Sequence, residues 1–317
     1  MEGEVALQRR GNLAGIEVGD GCRVRVVGVI NVSPESFYAG SVARTYGALR
    51  TLAVRMVEEG AAILDVGAMS TAPYIEGRID VEEETRRMCA AIRTLRSVVH
   101  VPISADTQRA RVAAAALAVG ADIINDVSGL SADPAMGAVA RSAQGLILMA
   151  SEAKASSAPP MRMIAARLRQ CLERARRADI AAARIVLDPG IGFFRRAAVP
   201  WHRLDCLVLS QLGRLRRLGR PLIVGVSRKS FVGKLTGRTD VGARLYGSLA
   251  AAAIAVYNGA ALIRTHDVAA TVDVVRVAEA MRAAATRTGP VAEPVRLGVG
   301  LTTQRGAALR TDAGRRP

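Results

Sequence analysis

Apolar residues in this chain come in short runs that are separated by longer segments with a helical period. Runs rich in Val and Ile recur eight times, and between them Ala, Leu and Arg repeat at helical spacing, as in RARVAAAALAVGA. The predicted strands are Arg23–Asn31, Ala62–Ala68, Pro102–Asp106, Asp122–Val127, Gly145–Ala150, Arg184–Gly190, Pro221–Ser227 and Ala261–Asp267.

Most of these strands are near-continuous apolar runs, which is typical of a parallel sheet covered on both faces. Eight strand-then-helix units predict an α/β fold, a single (β/α)8 TIM barrel. A doubly wound open sheet is the alternative, but no G-x-G-x-x-G follows the first strand. The barrel is predicted over residues 23–288. It follows a short N-terminal extension (1–22) and precedes a poorly ordered, basic and flexible C-terminal tail (289–317) that has lost periodicity.

The predicted strands end in side chains that are able to bind a ligand. These are Asn31, Asp65, Asp106, Asn125, Asp126, Asp188, Ser227, Arg228, Lys229, Ser230, Arg264, Thr265, His266 and Asp267, with Ser70 and Thr71 just beyond the second strand. The carboxyl ends of all strands of a (β/α)8 barrel face one mouth, where barrel enzymes have their active sites. We therefore expect these residues to share one site.

Some of these residues also have a purely structural explanation. An Asp before a helix is commonly an N-cap, and this interpretation applies to Asp126 and Asp267. His100 and His202 are interpreted as surface or helix-end residues. His266 differs from them because it lies two positions from Arg264, on the same side of a strand end. Capping alone does not explain the whole combination.

Composition narrows the function classes. The net charge of +16 comes almost wholly from Arg on Ala-rich helices, and only 3% of residues are aromatic. Proteins that bind single-stranded nucleic acid need aromatic side chains on which the bases stack, so we expect no nucleic-acid partner. We interpret the Arg residues as solvated helix faces or as a means of attracting an anionic substrate. The four cysteines lack CxxC spacing, the first residues lack an apolar signal segment, and no apolar run reaches the roughly 18 residues of a membrane helix. We expect a cytoplasmic protein without a membrane contact.

One part of the polar set suits a flat heterocycle. Asp106, Asn125 and Asp188 offer acceptors to ring N–H groups, and Lys229 and Arg264 offer donors and positive charge. These residue types predict a purine-like or pterin-like ligand.

A second part of the polar set suits an anionic leaving group that comes with a divalent cation. It consists of Asn31, His266, Ser70 and Thr71. The chain has no nucleophile elbow, HExxH, Walker A or CxxC motif. Together, the two parts of the polar set predict a site for a purine-like or pterin-like ring with a phosphorylated tail.

Seven motifs from Val24 to Val268 resemble, in order and in spacing, those of dihydropteroate synthases. They read GVINVSPESF, LDVG-MST-P, PISADT, ADIINDVSGL, LDPGIGF, GVSRKSFVG and RTHDV. The resemblance implies a (β/α)8 barrel, usually a homodimer. It also implies a reaction that joins 6-hydroxymethyl-7,8-dihydropterin diphosphate to an arylamine and releases diphosphate.

The resemblance also implies roles for single residues. The pterin-binding residues would be Asp106, Asn125, Asp188, Lys229 and Arg264. The diphosphate-binding residues would be Asn31, Ser70, Thr71, Arg264 and His266, and the acceptor-binding residues would be Phe193, Lys229, Ser230 and Tyr74. Arg264, His266 and Lys229 would be the catalytic residues, and Asn31 would be the protein ligand of a Mg²⁺ that accompanies the diphosphate.

The loops depart from the family pattern, whereas the pterin residues match it. In the second loop Met69 replaces a Glu, Ala72 an Arg and Tyr74 a Gly, and Phe194-Arg195 stands where a Lys commonly follows DPGxGF. This pattern is expected if the donor is unchanged and the acceptor differs. It resembles the dihydropteroate-synthase-like branch of tetrahydromethanopterin biosynthesis, known in methanogens and some methylotrophs, where the arylamine carries a ribosyl chain.

Three alternatives stay open at this point. One is ordinary dihydropteroate synthesis with 4-aminobenzoate in folate biosynthesis. The others are a methyltetrahydropterin-binding methyltransferase and a non-catalytic pterin-binding subunit. The SRKS and RTHD motifs suit diphosphate loss better than methyl transfer.

Overall fold

A computed structural model describes residues 9–32, 45–69, 79–151, 158–195, 197 and 199–286. The strands in these residues are β1 (Arg10–Leu13), β2 (Ile16–Gly19), β3 (Arg25–Asn31), β4 (Ile63–Gly67), β5 (Ile103–Asp106), β6 (Ile123–Asp126), β7 (Gly145–Met149), β8 (Ile185–Asp188), β9 (Ile223–Gly225) and β10 (Leu262–Thr265). The α-helices are α1 (Tyr46–Glu58), α2 (Val81–Arg96), α3 (Ala110–Ala118), α4 (Met136–Ala140), α5 (Pro160–Arg177), α6 (Trp201–Ser210), α7 (Ser230–Thr236), α8 (Leu245–Tyr257) and α9 (Val268–Thr286). Short 3₁₀ helices cover Ala182–Arg184, Leu212–Leu218 and Gly242–Arg244.

Strands β3 to β10 form one parallel barrel. Each strand from β3 to β8 pairs with its neighbour in the chain, and β10 lies between β9 and β3. A parallel bridge joins Leu187 to Leu222, and the Leu187 N–H donates to the Pro221 carbonyl at 3.0 Å, which closes the barrel between β8 and β9. The predicted (β/α)8 barrel is confirmed, and each of the eight predicted strands contains one strand of the barrel.

The outward faces of the strands pack against the helices. Leu64 of β4 belongs to one large apolar core that includes the buried face of α2. That face carries Met88, Ile92 and Leu95, which share one side of a helix because they are spaced four and three residues apart. The helix begins where the Asp80 carboxylate accepts the Glu83 N–H at 2.7 Å.

The inward faces of the strands change from apolar to polar along the barrel axis. A separate apolar cluster at the amino ends contains Val27, Ile63, Ile123, Ile147, Val186, Ile223, Ala261 and Leu262. Side chains two positions apart share a face of a strand. Two residues beyond the members of this cluster in β4, β6 and β10 stand Asp65, Asn125 and Arg264. One layer of the barrel interior is therefore apolar, and the layer above it is polar.

A hairpin that the sequence analysis missed lies at the amino end of the barrel. Strands β1 and β2 pair antiparallel around Ala14 and Gly15, which both have positive φ, and the Asn12 side chain accepts the Gly15 N–H at 2.7 Å. Leu13 and Val18 are fully buried in the apolar cluster of the barrel interior. The hairpin therefore closes this end of the barrel.

Two other expectations concern the surroundings of the barrel. In the described part of the chain, no helix has both the length and the apolarity to cross a membrane. The predicted flexible tail, residues 289–317, lies outside the described residues.

Candidate active site

Two buried carboxylates share one arginine at the carboxyl end of the barrel. The Arg264 Nε donates to Asp65 Oδ2 at 2.6 Å, and its Nη2 donates to Asp106 Oδ2 at 2.9 Å. Asn125 Nδ2 also donates to Asp65 Oδ2, at 3.1 Å. These side chains come from β4, β5, β6 and β10, so barrel closure is what brings them together.

The second oxygen of each of these two carboxylates indicates a ligand-binding site. Asp65 Oδ1 and Asp106 Oδ1 are buried and accept no hydrogen bond from any described residue. Burial raises the pKa of Asp106 to about 7, although the positive charge of Arg264 opposes this. Buried acceptors without a donor are costly. The arrangement can therefore bind a molecule that presents several N–H groups.

Asp188 and Lys229 form the opposite side of the same site. Asp188, at the end of β8, accepts the Gly190 N–H at 2.7 Å, and burial raises its pKa while the charge of Lys229 opposes the rise. The Lys229 ammonium donates to the Ile191 carbonyl. Burial lowers the pKa of Lys229 to about 8, although Asp188 and Asp205 favour its charged form.

The segment after β8 is shaped to fit around Lys229. The Lys229 ammonium lies 4.9 Å from the centroid of the Phe193 ring. Gly192 has a φ of +82°, and a Cβ there would lie 3.1 Å from Lys229 Cδ. The Gly192 N–H donates at 2.8 Å to Asp205 of α6, whose pKa is raised to about 6 by burial. Glycine allows both the backbone turn and the close approach.

Arg195 and Ser230 meet next to this segment. Arg195 Nη2 donates to Ser230 Oγ at 2.7 Å, and the Arg195 guanidinium carbon lies 4.1 Å from the centroid of the Trp201 ring. Arg195, Trp201 and Ser230 are half-buried. The arrangement joins the segment after β8 to the first residues of α6 and α7.

His266 and Asn31 lie at the ends of adjacent strands on the same mouth. The Ser227 hydroxyl lies 2.9 Å from His266 Nδ1. Burial, followed by the charges of Arg264 and Arg228, lowers the pKa of His266 to about 3, so the imidazole is neutral.

Gly67 separates Asn31 from Asp106. It pairs with Asn31 on one side and with Asp106 on the other, and a Cβ on Gly67 would lie 3.4 Å from Asn31 Oδ1. The lack of a side chain at Gly67 therefore leaves room beside the Asn31 amide.

Two acidic residues at this mouth are structural. Asp126 accepts the N–H groups of Ser128 and Leu130, each at 2.8 Å, and so holds the turn after β6. Asp267 receives two hydrogen bonds from the buried Arg228, at 2.9 and 2.7 Å. Both carboxylates are thus structural, but the N-cap interpretation is wrong for each: Asp126, ten residues before α4, holds a turn, and the Asp267 side chain binds an arginine.

The structure brings most of the predicted site residues to one mouth. Those residues are Asn31, Asp106, Asn125, Asp188, Phe193, Lys229, Ser230, Arg264 and His266. Ser70, Thr71 and Tyr74 lie outside the described residues. Asp65 is predicted at a strand end without a role, and the sequence pattern indicates neither Asp205 nor the contact of Arg195 with Ser230. The period of two from Ile63 would have identified Asp65 as inward-facing, whereas Asp205 lies in a helix and carries no such signal.

Comparison with known proteins identifies relatives over most of the chain. A family model described as pterin binding enzyme matches residues 27–266. The dihydropteroate synthase of Synechocystis sp. is 36% identical over 269 residues, which is 82% of this chain and 91% of the relative. The dihydropteroate synthase of Escherichia coli (strain K12) is 35% identical over 262 residues, which is 80% of this chain and 90% of the relative.

Solved structures give the same result. Xanthomonas albilineans dihydropteroate synthase with 4-aminobenzoic acid superimposes with a TM-score of 0.76 at 35% identity and covers 89% of this chain and 100% of that chain. The Yersinia pestis enzyme in a sulfonamide drug complex gives a TM-score of 0.78 at 31% identity, over 87% and 99% of the two chains. The Xanthomonas albilineans enzyme in complex with 7,8-dihydropteroate gives a TM-score of 0.74 at 34% identity, over 89% and 99%.

Proposed function

The chain belongs to the family of pterin-binding enzymes, and we propose that it joins 6-hydroxymethyl-7,8-dihydropterin diphosphate to 4-aminobenzoate and releases diphosphate. It is a transferase of the dihydropteroate synthase type. Its relatives carry that name, and one solved relative contains 4-aminobenzoic acid. These findings support 4-aminobenzoate better than the ribosyl-aminobenzene acceptor that the loop sequences favoured.

The observation that carries the proposal is the cluster of buried carboxylates around Arg264. Asp65 and Asp106 each keep one buried oxygen that accepts no hydrogen bond from the described residues, and Asp188 lies on the opposite side with Lys229. The amino-pyrimidine edge of a pterin presents N–H donors, of which Asp188 would accept two. Lys229 would donate to the carbonyl of the same ring.

The reaction needs positive charge at the diphosphate more than it needs a nucleophile from the protein. The bond between the methylene carbon and the diphosphate oxygen breaks, and its electron pair goes to the diphosphate. The arylamine nitrogen forms the new C–N bond with its lone pair and then releases a proton. Arg264 would stabilise the departing oxygens by its charge, whereas His266, being neutral, would contribute a hydrogen bond only. Electron donation from the dihydropterin ring stabilises positive charge on the carbon.

Mg²⁺ remains part of the proposal, as a cation that accompanies the diphosphate. The described residues contain no group of three His, Cys, Asp or Glu side chains that could hold a metal ion by itself. Mg²⁺ often binds through one or two protein oxygens together with substrate phosphates and water. The Asn31 amide oxygen beside Gly67 fits such a ligand. When bound, the cation would supply positive charge to the phosphate oxygens.

A second candidate keeps the same donor and uses the ribosyl-aminobenzene acceptor of tetrahydromethanopterin biosynthesis. The observation that favours it is Met69, a buried apolar residue where the family has a Glu. Ala72 and Tyr74, the other departures in that loop, lie outside the described residues.

An assay of diphosphate release tests the proposal and separates the two candidates. Purified protein is supplied with the pterin diphosphate, Mg²⁺ and either 4-aminobenzoate or its ribosyl analogue, and the product is identified by mass. We expect kcat/KM to be at least about tenfold higher for 4-aminobenzoate, a difference of roughly 1.4 kcal/mol. A preference for the ribosyl analogue would select the second candidate. No release with either arylamine would contradict both.

The homodimer is also part of the proposal. Large apolar side chains are exposed on three adjacent helices, namely Leu235 of α7, Tyr246, Ile254 and Tyr257 of α8, and Val277 and Met281 of α9. An exposed apolar patch of this kind is typical of a subunit interface. Analytical ultracentrifugation should give twice the mass of the chain, and Tyr246→Glu should shift the protein toward monomer.

The cytoplasmic location expected from the sequence belongs to the proposal as well. All four cysteines, Cys22, Cys89, Cys171 and Cys206, are free thiols. Free thiols suit a reducing compartment, so they support this location.

A further inference from the structure

Arg195 is held in one position by contacts on two sides. Its Nη2 donates to Ser230 Oγ at 2.7 Å, and its guanidinium carbon lies 4.1 Å from the centroid of the Trp201 ring. A cation over an indole ring and a hydrogen bond from the same group both restrict the long side chain. Arg195 is therefore preorganised beside the site and does not extend freely into solvent.

Arg195 lies beside Lys229 and Ser230, on the side of the site that is proposed for the acceptor. Ser230 directly follows Lys229, which reaches toward Asp188 on one side and whose ammonium lies 4.9 Å from the Phe193 ring. Lys229 thus neighbours both groups: its charge interacts with that of Asp188, and Ser230, which Arg195 contacts, is the next residue in the chain. An arylamine whose nitrogen attacks the pterin methylene must direct its opposite end away from the pterin carboxylates.

The charges around Arg195 favour an anion there. Lys229 adds a second positive charge, and the charge of Arg195 acts against the protonated form of Lys229. The nearby carboxylate, Asp205, accepts the Gly192 N–H at 2.8 Å and offsets these two charges in part, but burial in α6 raises its pKa to about 6 and so disfavours its negative form. Two cations at a partly buried site attract a negative group more strongly than they would in bulk water.

We propose that Arg195 binds the anionic group of the arylamine acceptor and thereby determines which acceptors the enzyme uses. The proposal rests on the transferase function proposed above and adds a residue to it. A guanidinium matches a carboxylate or a phosphate through two parallel hydrogen bonds. Ser230, whose hydroxyl accepts from Arg195, can donate its own hydrogen to the same anion. The anion is a carboxylate in 4-aminobenzoate and a phosphate in a phosphorylated ribosyl arylamine.

The competing explanation is that Arg195 only fastens the segment after β8 to α6 and α7. The two explanations differ in what the loss of Arg195 does to charged and neutral acceptors. A fastening residue affects every acceptor and the pterin to the same degree. A residue that binds the anion affects only acceptors that carry one.

Steady-state kinetics with matched acceptors distinguish the two roles. Arg195→Ala, Arg195→Lys and the control Arg203→Ala, which removes an exposed arginine of α6, are assayed with 4-aminobenzoate and with its neutral analogue 4-aminobenzamide. We expect Arg195→Ala to raise KM for 4-aminobenzoate by about 10- to 100-fold, the usual effect of losing a charged hydrogen-bonded pair. KM for 4-aminobenzamide and for the pterin diphosphate should change less than about threefold. Arg195→Lys should recover part of the loss.

Other results would overturn the proposal. An equal rise in KM for the benzoate and the benzamide would identify Arg195 as a fastening residue. If the wild-type protein uses ribosyl arylamines and not 4-aminobenzoate, the same comparison is made with a phosphorylated and an unphosphorylated ribosyl arylamine, and an equal effect of Arg195→Ala on the two KM values would again contradict the proposal.

A direct binding experiment tests the role of Arg195 independently of the proposed transferase function. Should the wild-type protein release no diphosphate with any acceptor, the transferase function fails. Calorimetric titration of 4-aminobenzoate and 4-aminobenzamide into wild type and Arg195→Ala, with the pterin diphosphate present, still decides the role of Arg195. Equal affinity of the wild type for the two compounds would refute it.

Discussion

The two ends of the barrel are built from the same eight strands. They differ in whether the buried side chains at each end are fully packed and paired within the protein. At the amino end, Leu13 and Val18 of the hairpin complete an apolar cluster. The adjacent Asp20 is paired with both Arg9 and Arg216. At the carboxyl end, Asp65 and Asp106 are buried, and one oxygen of each accepts no hydrogen bond from the described residues.

The pKa values show the same contrast. Burial acts to raise the pKa of Asp20, but Arg216 and Arg9 together lower it below its ordinary value. Burial raises the pKa values of Asp106, Asp188 and Asp205, and their neighbours do not reverse the shift. The amino end therefore stabilises the fold, whereas the carboxyl end keeps groups whose full pairing requires a ligand. Active sites commonly lower stability in this way.

The largest expected effect is on stability and concerns the amino end of the barrel, which the hairpin closes. Leu13→Ala removes a fully buried side chain and should lower the free energy of unfolding by about 2–5 kcal/mol, measured by urea denaturation. The folded fraction should keep its kcat, because Leu13 lies at the end opposite to the site. The control Glu17→Ala, an exposed residue of the same hairpin, should change stability by less than about 0.5 kcal/mol. A large loss of kcat in Leu13→Ala would mean that the two ends are coupled.

The next largest effect is on turnover and concerns the carboxyl end of the barrel. Arg264→Ala should lower kcat/KM on the order of 10²–10³-fold, because it removes a preorganised charge that contacts both carboxylates and that would stabilise the diphosphate in the proposed reaction. Arg264→Lys should recover only part of the rate, since an ammonium cannot replace a planar group that contacts two carboxylates. Unchanged turnover in a folded Arg264→Ala variant would remove Arg264 from the reaction.

A pair of Asp-to-Asn variants compares the two ends directly. Asp188→Asn should weaken binding of the pterin diphosphate by about 2–3 kcal/mol in calorimetric titration, because an amide offers a donor where the ligand needs an acceptor. Asp122→Asn changes a carboxylate that accepts the Ile103 N–H and pairs with Arg96 near the amino end of β6. It should lower the thermal midpoint and leave pterin affinity unchanged. The reverse pattern would contradict the division between the two ends.

The smallest expected effect is a change in how stability depends on pH. The folded-state pKa of Asp106, about 7, exceeds its ordinary value of 3.8, so the contribution of Asp106 to stability is present in acid and is lost as the pH rises toward 7. Between about pH 4 and pH 5, the fall in unfolding free energy should be smaller in Asp106→Asn by on the order of 1 kcal/mol, because one pH unit corresponds to about 1.4 kcal/mol for one group. Urea denaturation without substrate at the two pH values measures this difference.

The same experiment has a control at the amino end of the barrel, where the pKa of a carboxylate is shifted in the opposite direction. The pKa of Asp20 is lowered, so its contribution is lost as the pH falls, and Asp20→Asn should reduce the loss of stability in acid. If Asp106→Asn and the wild type gave parallel pH profiles, Asp106 would be an ordinary carboxylate in the folded protein.

The sequence was sufficient to predict the barrel and most of the polar mouth. Continuous apolar runs alternating with helical segments are a local signal, and so is a polar residue that ends an apolar strand. Asp106, Asn125, Asp188 and Arg264 could be found in this way. The hairpin was missed because its apolar positions, Leu13 and Val18, are few and are buried only by the barrel that they close.

What the tertiary structure alone decided is which of these groups meet. Arg264 contacts Asp65 and Asp106 across separations of 199 and 158 residues, so the pairing depends on the closure and register of the whole barrel. Asp205 and Arg195 take their places beside Lys229 from a helix and from an irregular segment, where no period of two marks the inward side. Local patterns fix which face of a strand or helix a side chain occupies. Distances between side chains of different elements, and hence the burial and the shifted pKa values at the mouth, arise only when the elements pack together.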